Sequence, residues 1–341
     1  MTTSAARTGG LLPWDLSLGF EQTVPRALAH RSQIGEVFVA DSAQTSEDDH
    51  YLSFQIPRAH SLWSDAPRGH HDPFASAEAA RQAIFVMLHR HLGVPVQLPF
   101  SLQRITLHVE DPEAYAREGN RPLQGFLHYR VTGRERRGAD VVGMRLAGSM
   151  EIGGRPALSL TAQLAFMSQG DYDVFRSYQR ARKPLATARL TPSTPLPPAA
   201  VGRGDPRNVV IGAAGDGTAP TADRYLLVAD RTHPAFFDHE YDHVPGPLMV
   251  EGMRQAAVAA AGRAGALRAP SALLTGCEAD FLDFAEFEAD LAYETEVGAP
   301  GADGRLSVEV AVRQFGNRVV AGRIELLPLG HAPASVPEEP R

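Results

Sequence analysis

Glu78, Arg81 and Gln82 stand in an otherwise apolar stretch, and 173 residues later Glu251, Arg254 and Gln255 repeat the same spacing. A carboxylate, a guanidinium and an amide at i, i+3 and i+4 share one face of a helix. Among apolar neighbours such charges are costly to desolvate unless they are paired and hydrogen-bonded. A plain surface ion pair is therefore the weaker explanation, and a site the stronger one. A glutamate held there can act as a general base or orient one. The arginine can keep it ionised, or bind a carboxylate or phosphate through two parallel hydrogen bonds. His70 and His243 also lie 173 apart, each eight residues before its glutamate.

The second glutamate is preceded by His233, His239 and His243, then by Pro245-Gly246. Pro-Gly marks the start of a helix, where free N–H groups, Gly246 among them, can stabilise an oxyanion. His233 reads as a surface or capping residue, His239 and His243 as site residues. His239-Glu240-Tyr241-Asp242-His243 matches a zinc-protease pattern that works only on a helix. Pro234, Pro245 and Pro247 oppose a helix there, so no metal site is expected. The Gly-rich run 212–217 leads into no helix and reads as a loop, not a phosphate cradle. There is no Gly-x-Ser-x-Gly elbow, and Cys277, the single cysteine, has no nucleophile signature.

The elements that must position these residues also come twice. The chain has 341 residues, 43% hydrophobic and 21% charged, which points to two globular domains. A net charge of −7 opposes a nucleic-acid footprint. One cysteine permits no intrachain disulfide, and with no signal peptide and no 20-residue apolar span the reading is a cytoplasmic protein without a membrane partner. Lys183 is the only lysine and reads as coding bias rather than chemistry. The patterning predicts strands at 34–40, 51–56, 102–109, 123–132, 141–151 and 156–166, with a helix at 75–92 and a short helix within 171–190. The second half predicts a strand at 225–229, a helix at 248–267, and strands at 273–281, 291–297, 306–315 and 318–327. Val39-Ala40-Asp41 and Val228-Ala229-Asp230 match at an offset of 189, which implies 16 extra residues ahead of the first helix. The resulting division is a flexible arm 1–22, repeat 1 at 23–190, a Pro-rich linker 191–208, repeat 2 at 209–328 and a disordered tail 329–341. The second helix is apolar nearly all round, with small side chains, so it is buried with a sheet close around it. The fold class is α+β: a double hotdog, two buried helices each wrapped by a curved antiparallel sheet, the repeats forming an intrachain pseudo-dimer.

The motif His233 to His239, then Pro245-Gly246, then Glu251-Gly-Met-Arg254-Gln255 resembles the beta-hydroxyacyl-carrier-protein dehydratases. There a histidine precedes a Pro-Gly turn and an acid on the following helix, the two coming from opposite hotdogs. Glu251 falls at the acid position, and His239 matches the histidine with three residues deleted from the loop between. A closer resemblance is to the A-factor biosynthesis family, similar to gamma-butyrolactone synthases, across about residues 25–327. It rests on His30-Arg31, Pro57-Arg58-Ala59-His60, and His71-Asp72-Pro73 with Glu78-x-x-Arg81-Gln82-Ala83. It rests equally on Asp242-His243-Val244-Pro245-Gly246 with Glu251-x-x-Arg254-Gln255-Ala256. Gly252 stands where that family would have alanine.

The resemblance implies an acyltransferase that needs no cofactor. It moves a beta-ketoacyl group from acyl carrier protein to the hydroxyl of dihydroxyacetone phosphate, and the ester then closes to a butenolide. It also implies two sites, pairing His243 with Glu78 and His71 with Glu251, with Arg58, Arg81 or Arg254 taking the phosphate beside Gln82 and Gln255. The site expected to do the chemistry holds Glu251, His239 and His243, and Glu251→Gln is expected to abolish transfer with the fold intact. Two other readings are a dehydratase or thioesterase on acyl carrier protein or coenzyme A, and a non-catalytic acyl-ligand-binding protein.

Overall fold

The computed structural model describes residues 10–65, 69–214, 224–267 and 272–329. The first half runs β1 (Val39–Gln44), β2 (Asp49–Ile56), α1 (Pro73–Val86), β3 (Phe100–Val109), β4 (Leu123–Arg137), β5 (Asp140–Ile152) and β6 (Arg155–Phe166). Helix α2 (Gln169–Ala181) and the short strand β7 (Ser193–Pro195) follow. The second half runs β8 (Ile211–Ala214), β9 (Arg224–Leu227), α3 (Gly246–Arg263), β10 (Ala272–Phe281), β11 (Ala292–Val297), β12 (Leu306–Gln314) and β13 (Asn317–Pro328). All strands join one antiparallel sheet in the order β1-β2-β4-β5-β6-β3-β10-β13-β12-β11-β9-β8-β7.

The middle of that sheet is the pairing of β3 with β10, where Leu107 faces Cys277. Outward from this seam the order is β3-β6-β5-β4-β2-β1 on one side and β10-β13-β12-β11-β9-β8 on the other. Each half therefore has the same connectivity, the arrangement of a double hotdog with a pseudo-twofold between the halves. The strands alternate as period-2 sequences should: in β4, Leu123, Gly125, Leu127, Tyr129 and Val131 are buried while Gln124, Arg130 and Thr132 are exposed. Alanines at 75, 79, 80 and 83 in α1, and at 256, 257 and 259–261 in α3, let the sheet approach closely. Gly252 goes further, since a Cβ there would stand 2.2 Å from the Tyr293 hydroxyl. Packing against that ring explains glycine in place of alanine. Among the described residues no helix is long and apolar enough to cross a membrane.

Three expectations change. The Val-Ala-Asp match at offset 189 aligns the wrong residues. Val39 opens β1 and its counterpart Ile211 opens β8, an offset of 172, so there is no 16-residue excess before the first helix. The stretch 191–208 is not an inert linker. β7 pairs with β8 at the outer edge of the second half, where prolines interrupt no inner ladder. Residues 10–22 are not loose, because Leu18 is buried, Leu11 N–H donates to Glu151 and Ser53 donates to the Gly19 carbonyl. The remainder of the expected arm, residues 1–9, and the expected tail from 330 lie outside the described residues. Residues 215–217 of the Gly-rich run also lie outside the described residues, and residues 212–214 belong to β8 rather than to a loop.

Candidate active site

Each glutamate is held by two arginines, not one. Glu78 accepts from Arg31, from Nε and Nη2 of Arg81 (2.8 and 2.9 Å) and from Gln82 (2.9 Å). Glu251 accepts from Nε of Arg203 (3.1 Å), from Nε and Nη2 of Arg254 (2.9 and 2.6 Å) and from Gln255 (2.6 Å). The glutamine oxygens accept from the N–H of Phe38 and of Val210, and their amino groups donate to the carbonyls of Glu36 and Asn208. His60 contacts the Glu36 carboxylate at 3.2 Å, and His233 contacts the Asn208 side chain at 3.0 Å. His233 is thus a buried member of the copied network rather than a surface residue. Burial pushes both glutamates upward, but the paired arginines outweigh it and bring each carboxyl down to about 2. A carboxylate held by two arginines and brought down to about 2 is a fixed anion that orients those arginines, and it is a weak base for a substrate proton.

Arg31 and Arg203 escape the sequence reading as site residues. They lie 172 apart, and each follows a residue with left-handed backbone, His30 (φ 51°) or Gly202 (φ 74°), that closes a short 3₁₀ turn. The shared spacing was the available signal. The repeats interlock around these turns. Asp238 of repeat 2 accepts from the N–H groups of Ser32 and Gln33, and Asp65 of repeat 1 accepts from those of Gly204 and Asp205.

The two networks then part company. Arg81 borders a cavity of about 460 Å³ and its side chain is 21% exposed, whereas that of Arg254 is 6% exposed. The cavity's apolar wall comes from α1, β3 and β6, including Phe85, Phe100 and Leu164. Its other wall comes from repeat 2: His239, Tyr241, His243 and the first turn of α3 at Gly246 and Pro247. His243 Nδ1–H donates to Asp242 at 2.5 Å, which leaves Nε2 as an acceptor. Asp242 also receives Arg176 Nε (3.0 Å) and the Tyr172 hydroxyl from α2. Burial works to raise the Asp242 carboxyl, but His243 and Arg176 hold it well below the usual carboxylate range. Arg176 is fixed in turn by buried Glu286, to which Arg180 and Lys183 also donate. The chain's single lysine thus serves this brace.

The helix starts differ as well. α1 is capped by its own Asp72, which accepts from the Phe74 N–H at 3.0 Å. α3 has no side-chain cap, and its first turn lines the cavity. An uncapped helix start offers N–H groups and a partial positive charge to an anion.

The expected grouping of Glu251 with His239 and His243 is not formed. Glu251 is buried away from the cavity, and both histidines line it together with Arg81, the partner of Glu78. His239 touches Asp238 only at 3.5 Å and packs on Tyr241, and burial lowers its pKa. Nor does His71 join Glu251. It lines an 80 Å³ recess with Arg58 and Arg117, where burial, then Arg117 and Arg58, bring it down to about 4. By the 173 offset the counterpart of His243 is His70, and that of Asp242 is Gly69, so repeat 1 has no such dyad. Burial pushes the Cys277 thiol up to about 12, which disqualifies it as a nucleophile.

The family model of the A-factor biosynthesis hotdog domain matches residues 15–168 and 185–329. The chain belongs to the A-factor biosynthesis hotdog family. A 2-oxo-3-(phosphooxy)propyl 3-oxoalkanoate synthase of Streptomyces virginiae is 35% identical over 239 residues, covering 70% of this chain and 76% of that protein. One of the same name from Streptomyces coelicolor is 28% identical over 306 residues, covering 88% and 91%. Among solved structures, one assigned provisionally as an oleoyl thioesterase from Lactobacillus plantarum superposes with a TM-score of 0.52 at 10% identity, covering 84% of this chain and 99% of that one. That likeness is one of fold alone. Within that fold both copies of the motif tie a buried glutamate to two arginines, and of the two copies only the first, through Arg81, borders the cavity that His239 and His243 line.

Proposed function

We propose that this chain transfers a 3-oxoacyl group from an acyl-carrier-protein thioester to the free hydroxyl of dihydroxyacetone phosphate, which would make the ester that its relatives, named 2-oxo-3-(phosphooxy)propyl 3-oxoalkanoate synthases, are named for. The observation that carries the reading is the convergence, at one end of an apolar cavity, of a His243–Asp242 dyad, the Arg81 guanidinium and the uncapped start of α3. Nε2 of His243 accepts the hydroxyl proton as the alcohol oxygen bonds to the thioester carbonyl carbon. The carbonyl oxygen becomes an oxyanion, and the N–H groups at the α3 start stabilise it. When the C–S bond breaks, the His243 proton passes to the departing sulfur, so ester and thiol leave in balance. Arg81 directs Nε and Nη2 to Glu78, and its Nη1 remains for the acceptor's phosphate. The apolar wall takes the acyl chain.

The test is mass spectrometry of products from a 3-oxoacyl carrier protein with and without dihydroxyacetone phosphate. The phosphorylated ester forms only with both substrates, and little thiol appears when the acceptor is omitted. Thiol release at the full rate without acceptor indicates a thioesterase instead.

A further inference from the structure

We propose that His30 is the acceptor-recognition residue of the cavity: in the binary complex its Nδ1 takes the hydrogen bond of the free hydroxyl of a phosphorylated hydroxyketone, and that proton turns to His243 Nε2 once the thioester is bound. This deepens the reaction proposed above and rests on it for the class of ligand.

His30 lines the same cavity as Arg81 and His243. Its backbone is left-handed, at the position where the closed half of the molecule has Gly202. Glycine adopts that conformation freely and a residue with a β-carbon does so only at some cost, so the imidazole sits there against the local backbone preference. The ring is also locked. It stacks on Phe85 at 4.3 Å and 8°, meets Phe100 edge-on at 5.5 Å, and lies nearly coplanar with His89, Nε2 to Nε2 at 2.7 Å. His89 sits in the π-helical turn Met87–His91 that ends α1, a distortion often found at functional sites.

The hydrogen bonds fix the tautomers. His89 Nδ1 lies 2.7 Å from the Val94 carbonyl, so Nδ1 carries a proton and Nε2 is bare. His30 Nε2–H must then donate to His89, which leaves His30 Nδ1 as a lone pair that takes no part in that hydrogen bond. Burial, then His89, Arg81, His239 and Arg31 around the ring, bring its pKa down to about 3. A neutral imidazole with one open lone pair accepts from a hydroxyl and offers nothing to an anion. Arg81 supplies the complementary preference for phosphate. Together they describe a small molecule with a hydroxyl at one end and a phosphate at the other.

The experiment compares dihydroxyacetone phosphate with acetol phosphate, which lacks only the hydroxyl, by calorimetric titration of the full chain. Wild type is expected to bind the hydroxylated ligand about 10-fold more tightly, the worth of one good hydrogen bond. His30→Gly copies Gly202 and keeps or raises the melting temperature. It should erase the preference while leaving the Kd for acetol phosphate within about 2-fold. His30→Asn, which tolerates left-handed backbone and keeps an acceptor oxygen, should retain part of the preference. A preference undiminished in His30→Gly overturns the proposal, as does equal weakening of both ligands or a wild type that binds neither. Ester synthesis scored on the same preparations separates the two ideas. A wild type that discriminates the ligands yet makes no ester leaves His30 standing and sinks the reaction.

Discussion

Helices α1 and α3 carry the same glutamate, arginine and glutamine, each met by a second arginine from a turn 47 or 48 residues upstream. Around α3 the cluster is closed. Gly202 lies against Arg254, and Arg203 donates further to the carbonyls of Leu62 and Asp65. Around α1 the cluster is open on one side, where His30 replaces glycine and the His239–Gly246 segment of the other repeat forms the facing wall. What is common to the two regions holds the repeats together, and what differs between them is where chemistry can occur. Duplication has thus left one copy of the buried ion network closed and the other open to a cavity.

The largest expected effect concerns the closed half. Glu251→Gln leaves the buried guanidinium groups of Arg203 and Arg254 without their anion, a loss of about 3–5 kcal/mol. Urea unfolding of the variant checks this, and activity should fall because the fold does. Full stability with abolished turnover would instead restore Glu251 as a catalytic base. The open half responds differently. His243→Gln should lower kcat by about 10²–10⁴-fold with unfolding unchanged, and His70→Gln, its mirror, should leave steady-state kinetics near wild type. Equal effects at both positions would break the comparison.

Arg81→Lys should raise KM for the phosphate-bearing acceptor about 10-fold or more, through loss of the planar guanidinium that bridges Glu78 and the cavity. Arg254→Lys should cost stability and leave KM alone. Initial rates against acceptor concentration, beside melting curves, separate the pair. A further effect is common to both halves. Glu78 and Glu251 titrate near 2 in the folded chain against an ordinary value of 4.5. Their contribution to stability is therefore complete above pH 4.5 and lost as pH falls toward 2. Denaturation midpoints measured downward through that window should decline.

Much of the fold was legible because it rests on local pattern. The all-round apolar character of α3, the alternation in β4 and the exact repetition of three polar residues each follow from periods of 3.6 or 2 and from simple offsets. Arg31 and Arg203 were hidden because 3₁₀ turns carry no periodicity, and their pairing with the glutamates is made only by the tertiary fold. β8 was hidden by length and glycine, and the Val-Ala-Asp coincidence then drew the alignment 17 residues astray, from 172 to 189. Asp242 and His243 were visible as neighbours but not as a dyad. Adjacent residues on a helix or strand point apart, and only a turn lets one support the other. His243 was expected to pair with Glu78; it lines the cavity that Arg81, the partner of Glu78, also borders, and no direct contact joins His243 to Glu78 among the described residues.

The central claim is that the cavity between α1 and the start of α3 binds the acceptor while the α3 cluster stays closed. A crystal structure of the full chain with acetol phosphate tests it most directly. The account predicts the phosphate within hydrogen-bond reach of Arg81 Nη1, inside the cavity that His243 and the α3 start also line. Phosphate found instead on Arg254, or in the recess of Arg58 and His71, would contradict it.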